Sequence, residues 1–136
     1  MTKRLAIIGM GTLGQAIAGL APSHGWDVVA QLDAEATASG ITKAALGGAD
    51  NAVEFTIPAA AAGNVRAILA AGCPVVVGTT GWYDELPAIA ASVQSSGGAL
   101  LTASNFSLGV NIFERIAEFA AQLLGHAPGF DAHIVE

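Results

Sequence analysis

The sequence is short of charge, and shorter still of positive charge. Only 12% of its 136 residues are charged, and five Lys+Arg stand against eleven Asp+Glu, a formal net charge of −6. An acidic chain with scattered basic residues offers no footprint for nucleic acid or an anionic membrane. Its one cysteine, Cys73, excludes an intrachain disulfide and suits a reducing cytoplasm. Aromatic residues are only 6%, and Trp26 and Trp82 read as cover for sheet ends rather than as stacking platforms. Mean hydropathy is high at +0.58, but Ala and Val raise it. No apolar run reaches the roughly 18–20 residues of a spanning helix. The apolar stretch at residues 5–8 is followed at once by Gly9, Gly11 and Gly14, so it is too short for a signal peptide. No metal site is expected. What is present is apolar: 53% hydrophobic residues exclude disorder, and the length suffices for one domain with a sizeable core but not for two full ones.

Short β-like runs alternate with helical stretches. Residues 5–8 read as a buried strand, 13–20 as a helix ending near His24 and Gly25, and 28–32 as a second strand with Asp33 at its carboxyl end. Residues 34–50 are poorly patterned and glycine-rich, which predicts loop with one helical turn. A third strand is expected at 52–56, then a helix from Pro58 to about 71 with Gly72 as its stop. The Val run at 74–77 predicts a fourth strand of a parallel sheet buried on both faces. Gly78-Thr79-Thr80-Gly81 is a turn, 83–95 a helix, 99–103 a fifth strand, and 108–124 a long amphipathic helix with apolar residues near period 3.6. A turn at 127–129 leads to a sixth strand at 130–135. This alternation predicts an α/β fold, an open, doubly wound, mostly parallel sheet with right-handed crossovers. A last strand with no visible partner would be a bare apolar edge. The helix and strand from Asn105 onward are therefore expected to pair with another chain or to open a further domain that continues past Glu136.

Gly9-Met10-Gly11-Thr12-Leu13-Gly14 is a G-x-G-x-x-G sequence directly after a strand and directly before a helix, with an acid 19 residues on at the end of the next strand. In that context it is a Rossmann-type dinucleotide fingerprint. Gly9 permits the tight turn, Gly11 lets a pyrophosphate approach the backbone, and Gly14 lets the helix pack close. The pyrophosphate then sits on free N–H groups at the positive end of a helix dipole, so an acidic protein can hold an anionic cofactor without a lysine. The plain alternative is a glycine-rich turn that binds nothing. Asp33 is placed to accept from the adenosine ribose hydroxyls and to repel a 2′-phosphate. No Arg neighbours it, Lys3 and Arg4 lie at the wrong end of the first strand, and Lys43 alone could swing across. The expected cofactor is NADH, with NADPH possible.

Three more segments fall at the carboxyl ends of predicted strands: Phe55-Thr56-Ile57-Pro58, Gly78-Thr79-Thr80-Gly81 and Ala103-Ser104-Asn105-Phe106-Ser107. Each alone is ordinary turn chemistry, but ligands in open α/β sheets bind at that edge. Together with Gly9–Gly14 and Val53-Glu54, and with Leu108-Gly109-Val110-Asn111 after them, they resemble the 4-hydroxy-tetrahydrodipicolinate (dihydrodipicolinate) reductase family in order along the whole chain. Two details depart from many members. The first glycine loop is the short form, with Leu13 before Gly14, and Ser104 stands where a Pro is common.

The resemblance implies a dinucleotide-binding domain at residues 1–104 and, at 105–136, the opening helix and strand of a truncated α+β domain for substrate binding and oligomerisation. It implies NAD(P)H-dependent reduction of 4-hydroxy-tetrahydrodipicolinate to tetrahydrodipicolinate, in lysine and diaminopimelate synthesis in the cytoplasm, by a homo-oligomer that is a tetramer at full length. Gly9, Met10, Gly11, Thr12, Leu13 and Gly14 would wrap the pyrophosphate and Asp33 would hold the ribose. Phe55 and Thr56 would line the path toward the nicotinamide. Gly78, Thr79 and Thr80 would sit near its amide, with Thr80 also beside a carboxylate of the dicarboxylate substrate. Ala103, Asn105 and Phe106 would close the nicotinamide pocket and the hinge. The family's His-His-x-x-x-Lys stretch would lie beyond Glu136, so no catalytic residue is expected in this chain, and the chain alone is expected to be inactive. His24, His126 and His133 read as a helix-end, a turn and a strand residue, and Cys73 as a small core residue. Two other readings stay open: a non-catalytic NAD(H)-binding module, and another small-substrate dehydrogenase on the same fold.

Overall fold

The structure, a computed structural model, describes residues 2–130 and 133. Two compact units divide the chain, Met1–Ser104 and Asn105–Glu136. In the first, five strands, β1 (Lys3–Ile8), β2 (Trp26–Leu32), β3 (Asn51–Glu54), β4 (Val75–Val77) and β5 (Leu100–Thr102), alternate with α1 (Thr12–Leu20), α2 (Ala34–Ala38), α3 (Pro58–Ala70) and α4 (Leu86–Ser96). Short 3-10 helices at Ala21–His24 and Tyr83–Glu85 follow α1 and precede α4. Every strand pair is parallel, and the order is β2-β1-β3-β4-β5. This is the expected Rossmann-like sheet. The segment between β2 and β3 adds only α2 and turns, so β3 crosses β1 to pair on its other side.

The period-2 pattern of β1 divides the core. Ala6 and Ile8 join Ala61, Val65 and Ile68 of α3 and Ile89 of α4 on one face. Leu5 and Ile7 join Ala21 and the Ile17 side of α1 on the other. The sheet is thus covered from both sides, as alternate side chains of a buried strand require. Ile7, Ile8, Ile68 and Ile89 are the largest fully buried aliphatic side chains, each worth about 1.5–3 kcal/mol of burial.

The strand ends are in register. Ile8 pairs with Leu32 and with Glu54, Glu54 with Val77, and Val77 with Thr102. The next residues, Gly9, Asp33, Phe55, Gly78 and Ala103, therefore emerge along one edge. Between β1 and β3 the connections leave in opposite directions, which makes the crevice where open α/β sheets bind ligands.

In the second unit, α5 (Leu108–Gly125) is capped by Ser107, whose Oγ accepts from the Val110 N–H at 3.4 Å. The Asn111 side chain ties the entry loop, donating to the Asn105 carbonyl at 3.0 Å and to that of Ser107 at 2.8 Å. Leu108, Ile112, Phe113, Ile116, Phe119 and Leu123 are all exposed. The expected sixth strand at 130–135 lies, apart from Phe130 and His133, outside the described residues. Among the described residues no helix is long and apolar enough to cross a membrane, and no group of His, Cys, Asp and Glu is arranged to hold a metal.

Candidate functional site

The turn after β1 is shaped by contacts that only glycine allows. Gly9 has φ +96°, and a Cβ there would lie 2.1 Å from the Phe55 carbonyl oxygen. Its N–H donates to the Leu32 carbonyl at 2.8 Å, locking the turn to β2. A Cβ on buried Gly14 would lie 1.9 Å from the Gly9 carbonyl oxygen, so α1 sits against the turn itself. Gly11 is different: it is exposed, and a Cβ there would meet no atom within 4 Å. Nothing in the fold demands glycine at that position, whereas a ligand laid on the backbone would. Gly11 is also the N-cap of α1, with no side-chain cap bond and no acid in the first turn. The N–H groups at that helix start, and the positive end of its dipole, remain open to an anion.

Asp33, at the end of β2, is exposed. Its Oδ1 accepts from the Ala36 N–H at 2.9 Å, capping α2, while Oδ2 takes no bond from the described residues. A cavity of about 710 Å³ opens between this cap, the glycine turn and the start of α3, a size typical of small-molecule sites. Of the expected cofactor residues, Gly9, Met10, Gly11, Asp33, Phe55 and Thr56 line it. Among the described residues no Lys, Arg or His does. Lys43 instead lines a separate cavity with Thr42 and the end of α3, and Arg66 pairs with Glu85 at 2.5 Å.

The other expected residues are not at the cavity wall. Thr12 and Leu13 are exposed in the first turn of α1. Gly78 lies under the Phe55 ring, 2.0 Å from where a Cβ would stand, so a side chain there would displace the ring. Thr79 is buried and internally engaged: its Oγ1 accepts from the Thr56 N–H at 2.8 Å, and its carbonyl accepts from Trp82 Nε1 at 2.7 Å. Thr80 is exposed beside it, and Ala103 is half-buried after β5. Asn105 and Phe106 belong to the second unit, where the Asn105 side chain accepts from the Ser107 N–H at 2.7 Å.

Two further residues, to which the motifs gave no role, belong to this site. Glu54 is fully buried, and its Oε1 accepts from the Thr56 hydroxyl and, at 3.2 Å, from Asn64 Nδ2. Asn64, on α3, also reaches Thr56 Oγ1 at 3.3 Å and lines the cavity. The available signal is the lone acid in the apolar run Ala52-Val53-Glu54-Phe55. Cys73 lies in the core, where burial, with the negative charge of Asp50 adding to it, pushes its thiol pKa up.

Residues 3–106 match the family described as dihydrodipicolinate reductase, N-terminus. The chain is 39% identical to 4-hydroxy-tetrahydrodipicolinate reductase of Beutenbergia cavernae over 98% of its length and 54% of that protein. It is 35% identical to the same-named protein of Thiobacillus denitrificans over 100% of its length and 57% of the relative. A solved structure, an NAD-binding protein from Listeria innocua, superimposes with a TM-score of 0.67 at 18% identity over 92% of this chain and 42% of that one. That likeness is one of fold. The chain spans about half the length of the reductases it matches.

Proposed function

The chain belongs to the 4-hydroxy-tetrahydrodipicolinate reductase family, and from that premise we propose that it is the cofactor-holding part of such a reductase, acting on a small dicarboxylate in a cytoplasmic homo-oligomer. The observation that carries the reading is convergence on one cavity of a bare glycine turn, an uncapped helix start and a carboxyl group one strand away. The residues fit a dinucleotide. The space over Gly11 admits a pyrophosphate against the α1 N–H groups, and Gly9 and Gly14 hold the turn that aims them. Asp33 keeps Oδ2 for ribose hydroxyls while Oδ1 holds α2 in place. When bound, the reduced nicotinamide supplies a hydride. The protein's part is to hold it, with Phe55 and Thr56 along the path and Gly78, Thr79 and Thr80 at the neighbouring strand end. In this reading Thr80 reaches a substrate carboxylate, and Ala103 stands at the next strand end.

A carboxyl group at the ribose and a wall without Lys or Arg favour NADH over NADPH, because a 2′-phosphate would meet like charge and no cation. We expect calorimetry on this chain to give an NADH Kd at least about tenfold below that for NADPH, a difference of roughly 1.4 kcal/mol. Equal affinities would remove the specificity claim, and no heat with either would remove the cofactor site. With no His or Lys at the cavity wall among the described residues to deliver a proton, the chain by itself is expected to bind NADH without oxidising it in the presence of fresh substrate. Steady loss of NADH absorbance would overturn that.

A further inference from the structure

We infer that Glu54 is a positioning residue for the dinucleotide cavity, a role that rests on the cofactor reading above. At the edge its neighbours in register are Ile8 and Val77, both fully buried apolar residues, and Glu54 is as buried as they are. An apolar side chain would suit that place. Burying a carboxyl group there is unfavourable unless it is fully bonded, and Glu54 is not: Oε2 is buried without a partner among the described residues. Stability therefore does not account for the residue.

Its bonds point to what does. Glu54 Oε1 takes the hydroxyl proton of Thr56 and an amide proton of Asn64, and both of those residues line the cavity. A carboxyl oxygen that accepts from both turns the Asn64 NH₂ inward and sets the Thr56 rotamer. The Thr56 N–H is already held by Thr79. Glu54 thus ties the end of β3 to the second turn of α3, the Thr56 N–H ties it to the turn after β4, and the geometry of that wall is set before the cofactor arrives. Preorganisation of this kind appears as affinity.

The test uses calorimetric NADH titration of the full chain, with far-UV circular dichroism to confirm folding. Glu54→Ala is expected to weaken binding about tenfold. Glu54→Gln is expected to stay within about threefold, because its amide oxygen can take the same two donors. The double variant Glu54→Ala/Thr56→Val is expected to bind no more weakly than Glu54→Ala, since both act through one contact. Wild-type affinity in Glu54→Ala with only a lowered Tm, a Gln variant as weak as Ala, or additive losses in the double variant would each overturn the inference. If Glu54→Ala does not fold, Thr56→Ser and Thr56→Val replace it, with binding expected to be kept by Ser and lost about tenfold by Val; equal affinities would overturn it. If the unaltered chain binds no NADH, the cofactor reading fails instead. The positioning claim is then decided by the Asn64 side-chain amide protons, which should be slow to exchange in the unaltered chain and in Glu54→Gln and fast in Glu54→Ala; exchange as slow in Glu54→Ala as in the unaltered chain, or as fast in Glu54→Gln as in Glu54→Ala, would overturn it.

Discussion

Three glycines of one motif do three different jobs, and the difference can be measured. Gly9 is needed by the backbone and by its neighbours, with φ +96° and Phe55 at 2.1 Å from a hypothetical Cβ. Gly9→Ala should lower stability by roughly 2–4 kcal/mol, read as a shift in the urea midpoint. Gly11 faces open space, so Gly11→Ala should leave that midpoint unchanged and still weaken NADH at least about tenfold, because the methyl occupies ligand space. A stable Gly9→Ala, or a Gly11→Ala chain that binds normally, would break this assignment. Cys73 gives a second residue-scale test. With its pKa raised in the fold, the folded chain keeps a proton that the unfolded chain releases, so its contribution is intact below the ordinary thiol range. It is lost as pH rises through about 8.5 and above. The urea midpoint should fall between pH 8 and pH 10, and Cys73→Ala should flatten part of that fall. The glycine motif was legible because its spacing reflects local geometry. The role of Glu54 was not, because an acid in an apolar run, even inside a segment that carries the family likeness, has no local signature of a partner 10 residues further along the chain.

At the level of elements, the strands and helices were readable from periodicity, with ends shifted by a residue or two. The third strand stops at Glu54 rather than Thr56, because Thr56 gives its N–H to a side chain, Thr79 Oγ1, and not to a ladder partner. The expected 83–95 helix begins as a 3-10 turn, since Pro87 favours a fresh start at the first turn of α4. The short helix α2 shows how an element and a site share one side chain. Asp33 caps it through Oδ1, and a bare Ala there would remove a cap worth about 1 kcal/mol along with any ribose contact. Asp33→Ser separates the two roles. A hydroxyl still caps the Ala36 N–H, so thermal stability should hold, while loss of the carboxyl should bring the NADPH Kd toward that for NADH. An unchanged NADH preference in Asp33→Ser would mean that specificity lies elsewhere.

For the second unit, the α5 stripe is an extended run of exposed apolar side chains. Leu108, Phe113, Ile116 and Phe119 are each more than 60% exposed, and contiguous apolar faces of this kind drive association. Light scattering of the chain should show mass rising with concentration, and Phe113→Glu with Phe119→Glu should reverse it; a monodisperse monomer at all concentrations would refute this. The sequence alone determined the alternation of strands and helices, the glycine turn, the acid one strand later and the family likeness, because each depends on residues close together in the chain. Only the tertiary structure decided the strand order, since pairing β3 beside β1 is a contact between distant segments and creates the crevice. It also decided that Lys43 lies away from the cavity, that the Thr79 hydroxyl faces Thr56, and that Glu54 is buried beneath the wall. Those facts depend on which side chains meet once the sheet is assembled, and side-chain contacts across a sheet edge leave no periodic trace in the chain.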